Sequence, residues 1–115
     1  MVIEDNRDAA QTLGDLLALA GHEVRLAFDG ESGVATAQAF LPEVVISDIG
    51  LPAPVDGYEV ARSLRALPAL QGVRLIALSG YADDRTRRRA LEAGFDAHIA
   101  KPADLATLEG ALAAR

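Results

Sequence analysis

Short aliphatic runs recur along the chain: Val2-Ile3, HEVRLAF at 22–28, VVI at 44–46, VRLIAL at 73–78 and AHIA at 97–100. Each is rich in aliphatic or β-branched residues, and all but the first have the length of a strand. Between them the apolar residues return at helical spacing. Leu13, Leu16, Leu17 and Ala20 fall on one face, and Gly21 stands where a helix would stop. Val34, Ala37 and Phe40 mark a second helix closed by Pro42, and Val60, Leu64 and Leu67 a third ahead of Pro68. A fourth runs from about Asp83 to Ala93 before Gly94; Leu105, Leu108 and Leu112 form a fifth, with Asp104 near its start. Five strands alternating with five helices predict an α/β domain, a doubly wound parallel sheet with helices on both faces. The third and fourth runs are nearly all apolar, as strands buried on both sides should be.

The first run is short. Only Met1 to Ile3 precede the acidic pair Glu4-Asp5, whereas such strands usually hold about 5 residues. If this strand is central, two missing apolar residues would cost roughly 1.5–3 kcal/mol each. A chain trimmed at its start, a domain cut from a longer protein, or a misassigned start is the expectation.

Length and composition narrow the function classes. At 115 residues, half of them apolar, the chain is one globular domain with a modest core. Without cysteine it has neither a disulfide framework nor a thiolate metal site. No apolar run is long enough to span a bilayer and no signal-peptide pattern opens the chain, so a cytoplasmic location is expected. A net charge of −6 argues against direct nucleic-acid binding, and five aromatic residues without Trp argue against a stacking platform.

In open parallel sheets the working crevice lies beyond the carboxyl ends of the strands. Those ends carry Glu4 and Asp5 after the first strand, Asp48 after the third, Ser79 at the fourth and Lys101 at the fifth. Three carboxylates that repel one another suit Mg2+, which prefers oxygen ligands and keeps several waters. Asp5 and Asp48 are candidates for direct ligation, with Glu4 acting through water. Asp48 is then placed to attack a phosphoryl group and form an acyl phosphate. Lys101 would neutralise charge on the phosphoryl oxygens, and Ser79 could donate a hydrogen bond to one of them.

Taken in order, VIEDN, SDIGLP, LIALSGYA and HIAKP resemble the receiver domain of bacterial two-component response regulators over essentially the whole chain, residues 1–115. The resemblance implies a flavodoxin-like (βα)5 fold and a switch function. Asp48 would accept phosphate from a histidine kinase or histidine phosphotransfer protein, and a downstream output protein or fused domain would read the result. It also implies Mg2+ between Asp5, Asp48 and the main-chain carbonyl of Gly50, Lys101 paired with the phosphoryl group, and a cis peptide before Pro102. The domain would not be an enzyme beyond phosphoryl transfer and slow self-dephosphorylation, and would contact neither nucleic acid nor membrane. A stand-alone regulator and a receiver of a hybrid histidine kinase both fit, and the IGLP wording favours the second.

Two departures from the family pattern stand out. PAPVDG carries one residue more than usual between Pro52 and Gly57, where two prolines stiffen the loop. His98 stands three residues before Lys101, where relatives generally have Tyr or Phe that turns inward with the hydroxyl at the Ser79 position. An imidazole there could serve the switch and bring pH sensitivity; the simpler expectation is an exposed strand-end histidine. Gly80 leaves room for a phosphodonor, and Tyr81 is a candidate shield for the acyl phosphate. Arg85, Arg87, Arg88 and Arg89 on the fourth helix are expected to form a solvated face with Asp83–Arg87, Asp84–Arg88 and Arg88–Glu92 pairs, or alternatively a partner or dimer surface. Two other functions compete. A pseudo-receiver that binds partners without phosphorylation is opposed by the full set of five polar groups. A haloacid-dehalogenase-like Mg2+-dependent phosphatase needs an aspartate two residues after the nucleophile, where Gly50 stands.

Overall fold

Strands and helices alternate through the computed structural model, which describes residues 1–80 and 83–113. The order is β1 (Val2–Ile3), α1 (Arg7–Leu19), β2 (Leu26–Ala27), α2 (Gly30–Phe40), β3 (Val44–Asp48), α3 (Gly57–Arg65), β4 (Arg74–Ser79), α4 (Asp84–Ala93), β5 (Ala97–Ala100) and α5 (Leu105–Ala113). All pairings are parallel and the sheet runs β2-β1-β3-β4-β5. The strand order therefore reverses between β1 and β3, and the crevice at that switch point opens beyond Ile3 and Asp48.

The sheet's period of two sorts the core into halves. Ile3, Val45, Leu75 and Ala77 point to one face and pack with Ala37, Val60, Ala61, Leu64 and Ala90 of α2, α3 and α4. Val2, Ile46, Ile76 and Leu78 point to the other, against Leu17 of α1 and Leu108 of α5. β1 lies centrally, fully buried on both sides, as its two apolar residues require.

Several boundaries differ from the sequence expectation. Of the run at 22–28 only Leu26 and Ala27 form β2, because β1 is the sole neighbour and offers two residues. β3 and β4 each reach their polar ends, since Asp48 pairs with Leu78 and Ser79 with Ala100. α3 stops at Arg65, so Leu67 leads into a short 3-10 turn over Pro68–Leu70. Ala20 is exposed, and the inward face of α1 is formed by Ala10, Gly14 and Leu17. The expected pairs of Arg87 and Arg88 with Asp83, Asp84 and Glu92 do not form among the described residues. Asp83 instead caps its helix, and Arg89 lies over the Tyr58 ring at 4.2 Å.

Each of α1 to α5 starts on a side-chain acceptor. Asn6, Asp29, Asp56, Asp83 and Asp104 accept from the backbone N–H three residues on, at 2.7–3.0 Å. Gly94 closes α4 at φ +117°, a conformation strained for any residue with a Cβ.

Replacing Asp56 by Ala should cost about 1 kcal/mol and lower the unfolding midpoint by about 4 °C, with Asp56→Asn close to the parent; thermal denaturation reads both. Acid should act through the other caps. Hydrogen bonds from the N–H groups of Ser32, Thr86 and Thr107 hold the carboxyls of Asp29, Asp83 and Asp104 below their usual range. Their contribution is complete above about pH 4 and is lost as pH falls through the lowered values. Changing all three to Asn should flatten that acid limb of the stability profile.

Candidate functional site

β1 and β3 end side by side, so Glu4, Asp5 and Asp48 emerge together. Each contributes a carboxylate oxygen, and the three oxygens lie within 4.8 Å of one another. Glu4 and Asp48 are buried while Asp5 is exposed. Buried like charges need a counter-charge, and Lys101 supplies it from the end of β5. Its Nζ donates to Glu4 Oε1 at 2.7 Å and to Asp48 Oδ2 at 2.9 Å. The backbone fixes the remaining oxygen: Gly50 N–H donates to Asp48 Oδ1 at 3.0 Å.

The network shifts each group's proton affinity. Burial, and then the adjoining Asp48 carboxylate, outweigh Lys101 and push the Glu4 carboxyl up to about 7. Burial would also raise Asp48, but hydrogen bonds from Glu4, Lys101 and Gly50 prevail and hold it below the usual carboxylate range. Lys101, despite a burial penalty of opposite sign, is held above its ordinary value by the two acids.

These residues fit a divalent cation. Three carboxylates face one ammonium, leaving excess negative charge in a partly dry crevice, and Glu4 Oε2 is buried with no hydrogen-bond partner among the described residues. An all-oxygen donor set with one exposed member suits a hard ion that keeps its waters.

Gly57 has a role that the sequence reading missed. Its N–H donates to Ile49 O at 3.0 Å, and a Cβ on it would sit 2.3 Å from Asp48 O and 2.5 Å from Ile49 Cα. The start of α3 thus presses on the backbone that carries Asp48, and only glycine permits the approach. The Pro52–Gly57 loop also leans on α2, since a Cβ at Gly30 would lie 2.4 Å from Val55 O. The Lys101–Pro102 peptide is cis, as the resemblance implies, and so is Ala53–Pro54.

His98 is not an exposed strand-end residue, contrary to the simpler expectation. It is 7% exposed, and its Nε2 lies 2.9 Å from Ser79 Oγ. Parallel pairing of β4 with β5 forces this, placing His98 beside Ala77 and within reach of Ser79. The only sequence signal was a polar ring within an otherwise apolar strand. Gly80 is exposed beside Ser79; Tyr81 lies outside the described residues.

Beside the acids, Ala9, Leu13 and Leu16 of α1 face Pro102 and Ala103 across an apolar cleft of about 470 Å³. A second cavity of about 460 Å³ sits at the far, amino-terminal end of the sheet among Leu17, Phe40 and Val44, away from the acid cluster. Among the described residues, no helix is long and apolar enough to cross a membrane.

Comparison with known proteins agrees with this fold. A family model described as "Response regulator receiver domain" matches residues 1–113. A gliding motility regulatory protein of Myxococcus xanthus is 34% identical over 101 residues, 88% of this chain but 13% of its own length. The receiver domain of the sensor histidine kinase PA1611 from Pseudomonas aeruginosa, with magnesium in its active site cleft, superposes at a TM-score of 0.87. It is 32% identical, and the match covers 96% of this chain and 90% of that one. A response regulator protein from Burkholderia pseudomallei, with a phosphorylated aspartic acid and a calcium ion, also gives 0.87 at 31% identity, over 96% of this chain and 64% of that one.

Because the Glu4 carboxyl is raised, its stabilising contribution is complete below about pH 4.5 and is lost as pH rises through about 7. Without divalent ions, the unfolding midpoint relative to a Glu4→Gln variant should fall between about pH 5 and about pH 8. Added magnesium should raise the parent midpoint at pH 8; differential scanning calorimetry reads both effects.

Proposed function

The chain belongs to the response regulator receiver domain family, and on that premise we propose that it is a phosphorylatable switch whose acceptor is Asp48. The observation that carries this reading is the Lys101 ammonium held against Asp48 Oδ2 at 2.9 Å, within a cluster of three acids. The nucleophile and the charge that receives a phosphoryl group are already side by side.

In the transfer, an Asp48 carboxylate oxygen attacks phosphorus, a new P–O bond forms, and the bond from phosphorus to the donor breaks. With a phosphohistidine donor, of a histidine kinase or histidine phosphotransfer protein, the leaving imidazole takes up a proton from solvent. Lys101 pairs with the developing charge on the phosphoryl oxygens, and the Ser79 hydroxyl donates to one of them. Asp5, Asp48 and the Gly50 carbonyl would hold Mg2+, with Glu4 contributing through a water. An ion held there would neutralise the acids and draw charge from the phosphoryl oxygens. The lowered proton affinity of Asp48 keeps its carboxylate ionised and nucleophilic at neutral pH.

Magnesium in the PA1611 receiver and the phosphorylated aspartic acid of the Burkholderia protein support this chemistry by likeness. The apolar cleft between α1 and Pro102 is a suitable seat for the donor protein. Phosphorylation then biases a two-state equilibrium that an output protein or fused domain reads. The domain acts in the cytoplasm as a signalling element and not as an enzyme.

Incubation with acetyl phosphate and magnesium should give a single phosphoryl adduct by intact mass. The adduct should be absent from Asp48→Ala and from protein treated with a chelator. An adduct that persists in Asp48→Ala would overturn the assignment.

A further inference from the structure

Arg7 opens α1 directly after its Asn6 cap and is exposed beside the acid cluster. Exposed Asp5 and Asp8 stand within two positions of it. Among the described residues its guanidinium nevertheless makes no hydrogen bond or ion pair, and lies instead 4.1 Å from the centre of the Phe28 ring. A cation in the first turn opposes the helix dipole. Neither helix stability nor an ion pair accounts for an arginine here.

Strand register explains where the guanidinium is held. β1 lies between β2 and β3, and Ile3 pairs with Ala27 on one side and Ser47 on the other. Glu4 N–H donates to Ala27 O at 3.0 Å. Phe28 therefore leaves β2 at the level where Glu4 leaves β1 and Asp48 ends β3. Lys101 reaches the acids from β5 and is committed to bonding Glu4 and Asp48. Arg7 stands on the β2 side of the same rim, held over a ring face that leaves its N–H donors for another partner.

We propose that Arg7 is a binding residue for the phosphodonor, drawing the anionic phosphoryl group to the rim and holding it there before Asp48 attacks. This inference rests on the reading of Asp48 as phosphoacceptor. The charge balance shows what such a residue adds. With a dication bound, its charge and that of Lys101 match the three acids, so the loaded crevice exerts little net pull on a dianion. A free guanidinium at the mouth restores the attraction, and its planar fork suits phosphoryl oxygens better than an ammonium does. Arg7 takes no part in bond making. An Asp48 oxygen forms the new bond to phosphorus, the old bond breaks with its electron pair going to the leaving group, and the guanidinium keeps its protons. Phe28 is a positioning residue that holds the cation in place.

The test follows phosphorylation by acetyl phosphate, with magnesium present, through intact mass. In Arg7→Gln, which keeps a polar stem and loses the charge, half-saturating acetyl phosphate should rise about fivefold, the upper range for one exposed charge pair. The effect should fall on half-saturation and not on the limiting rate, and Arg7→Lys should recover part of it. Phosphoramidate, which carries one negative charge fewer near neutral pH, should feel the substitution much less. Salt at about 0.5 M should bring parent and Arg7→Gln together. Phe28→Leu should fall between them, since the cation remains but is no longer held. Apart from any transfer, the Arg7 Nε–H resonance should shift when acetylphosphonate, a donor analogue unable to transfer its phosphorus, is added. If Arg7→Gln keeps the parent's half-saturation, or loses reactivity toward both donors equally, or if the Nε–H resonance ignores the analogue, the inference is wrong. Absence of any adduct on the parent protein sinks the underlying switch reading instead.

Discussion

Two buried carboxylates and one ammonium, brought together from the start, the middle and the end of the chain, define this protein. Glu4 and Asp48 carry oxygens within 4.8 Å of each other, a separation at which like charges repel by roughly 3 kcal/mol at an effective dielectric near 20. Lys101 offsets that repulsion by bonding both, but one positive charge does not balance three acids. The residual negative charge is what a bound dication would neutralise. Burial and then the adjoining Asp48 carboxylate raise the proton affinity of Glu4, while hydrogen bonds from Glu4, Lys101 and Gly50 lower that of Asp48, separating an acid that stays protonated more readily from one that stays ionised.

Strand register turns this electrostatic arrangement into a site. β1 and β3 pair so that Ile3 lies beside Ser47, which brings Glu4-Asp5 and Asp48 out at the same level. β4 and β5 align Ser79 with Ala100, setting Lys101 one residue beyond. Gly57 then clamps the turn after Asp48 by allowing α3 to start against its backbone. A displacement at that contact would reach Asp48 directly, which couples the position of α3 to that carboxylate.

Much of this was legible in the sequence because it depends on periodicity and on strand ends. Alternating aliphatic runs and helical spacing located all ten elements, and the polar residues terminating the runs at Asp48 and Ser79 marked the rim. Less accessible were features set by pairing across the sheet. The run at 22–28 has the composition of a long strand, yet only Leu26 and Ala27 find a partner. His98 looked like a rim residue because it is polar, whereas its strand neighbours bury it. The arginines of α4 had helical spacing for ion pairs, but their acidic neighbour Asp83 is committed to capping. Local pattern defines what a segment becomes; which side chains it meets depends on register, and no single segment encodes that.

The charge imbalance at the rim is most directly probed by calorimetric titration of the protein with magnesium, alongside an Asp5→Asn variant. One saturable site in the parent, weakened at least tenfold in the variant, is the result expected from a cluster that needs a dication. Binding that is absent from the parent, or that Asp5→Asn leaves unchanged, would contradict it.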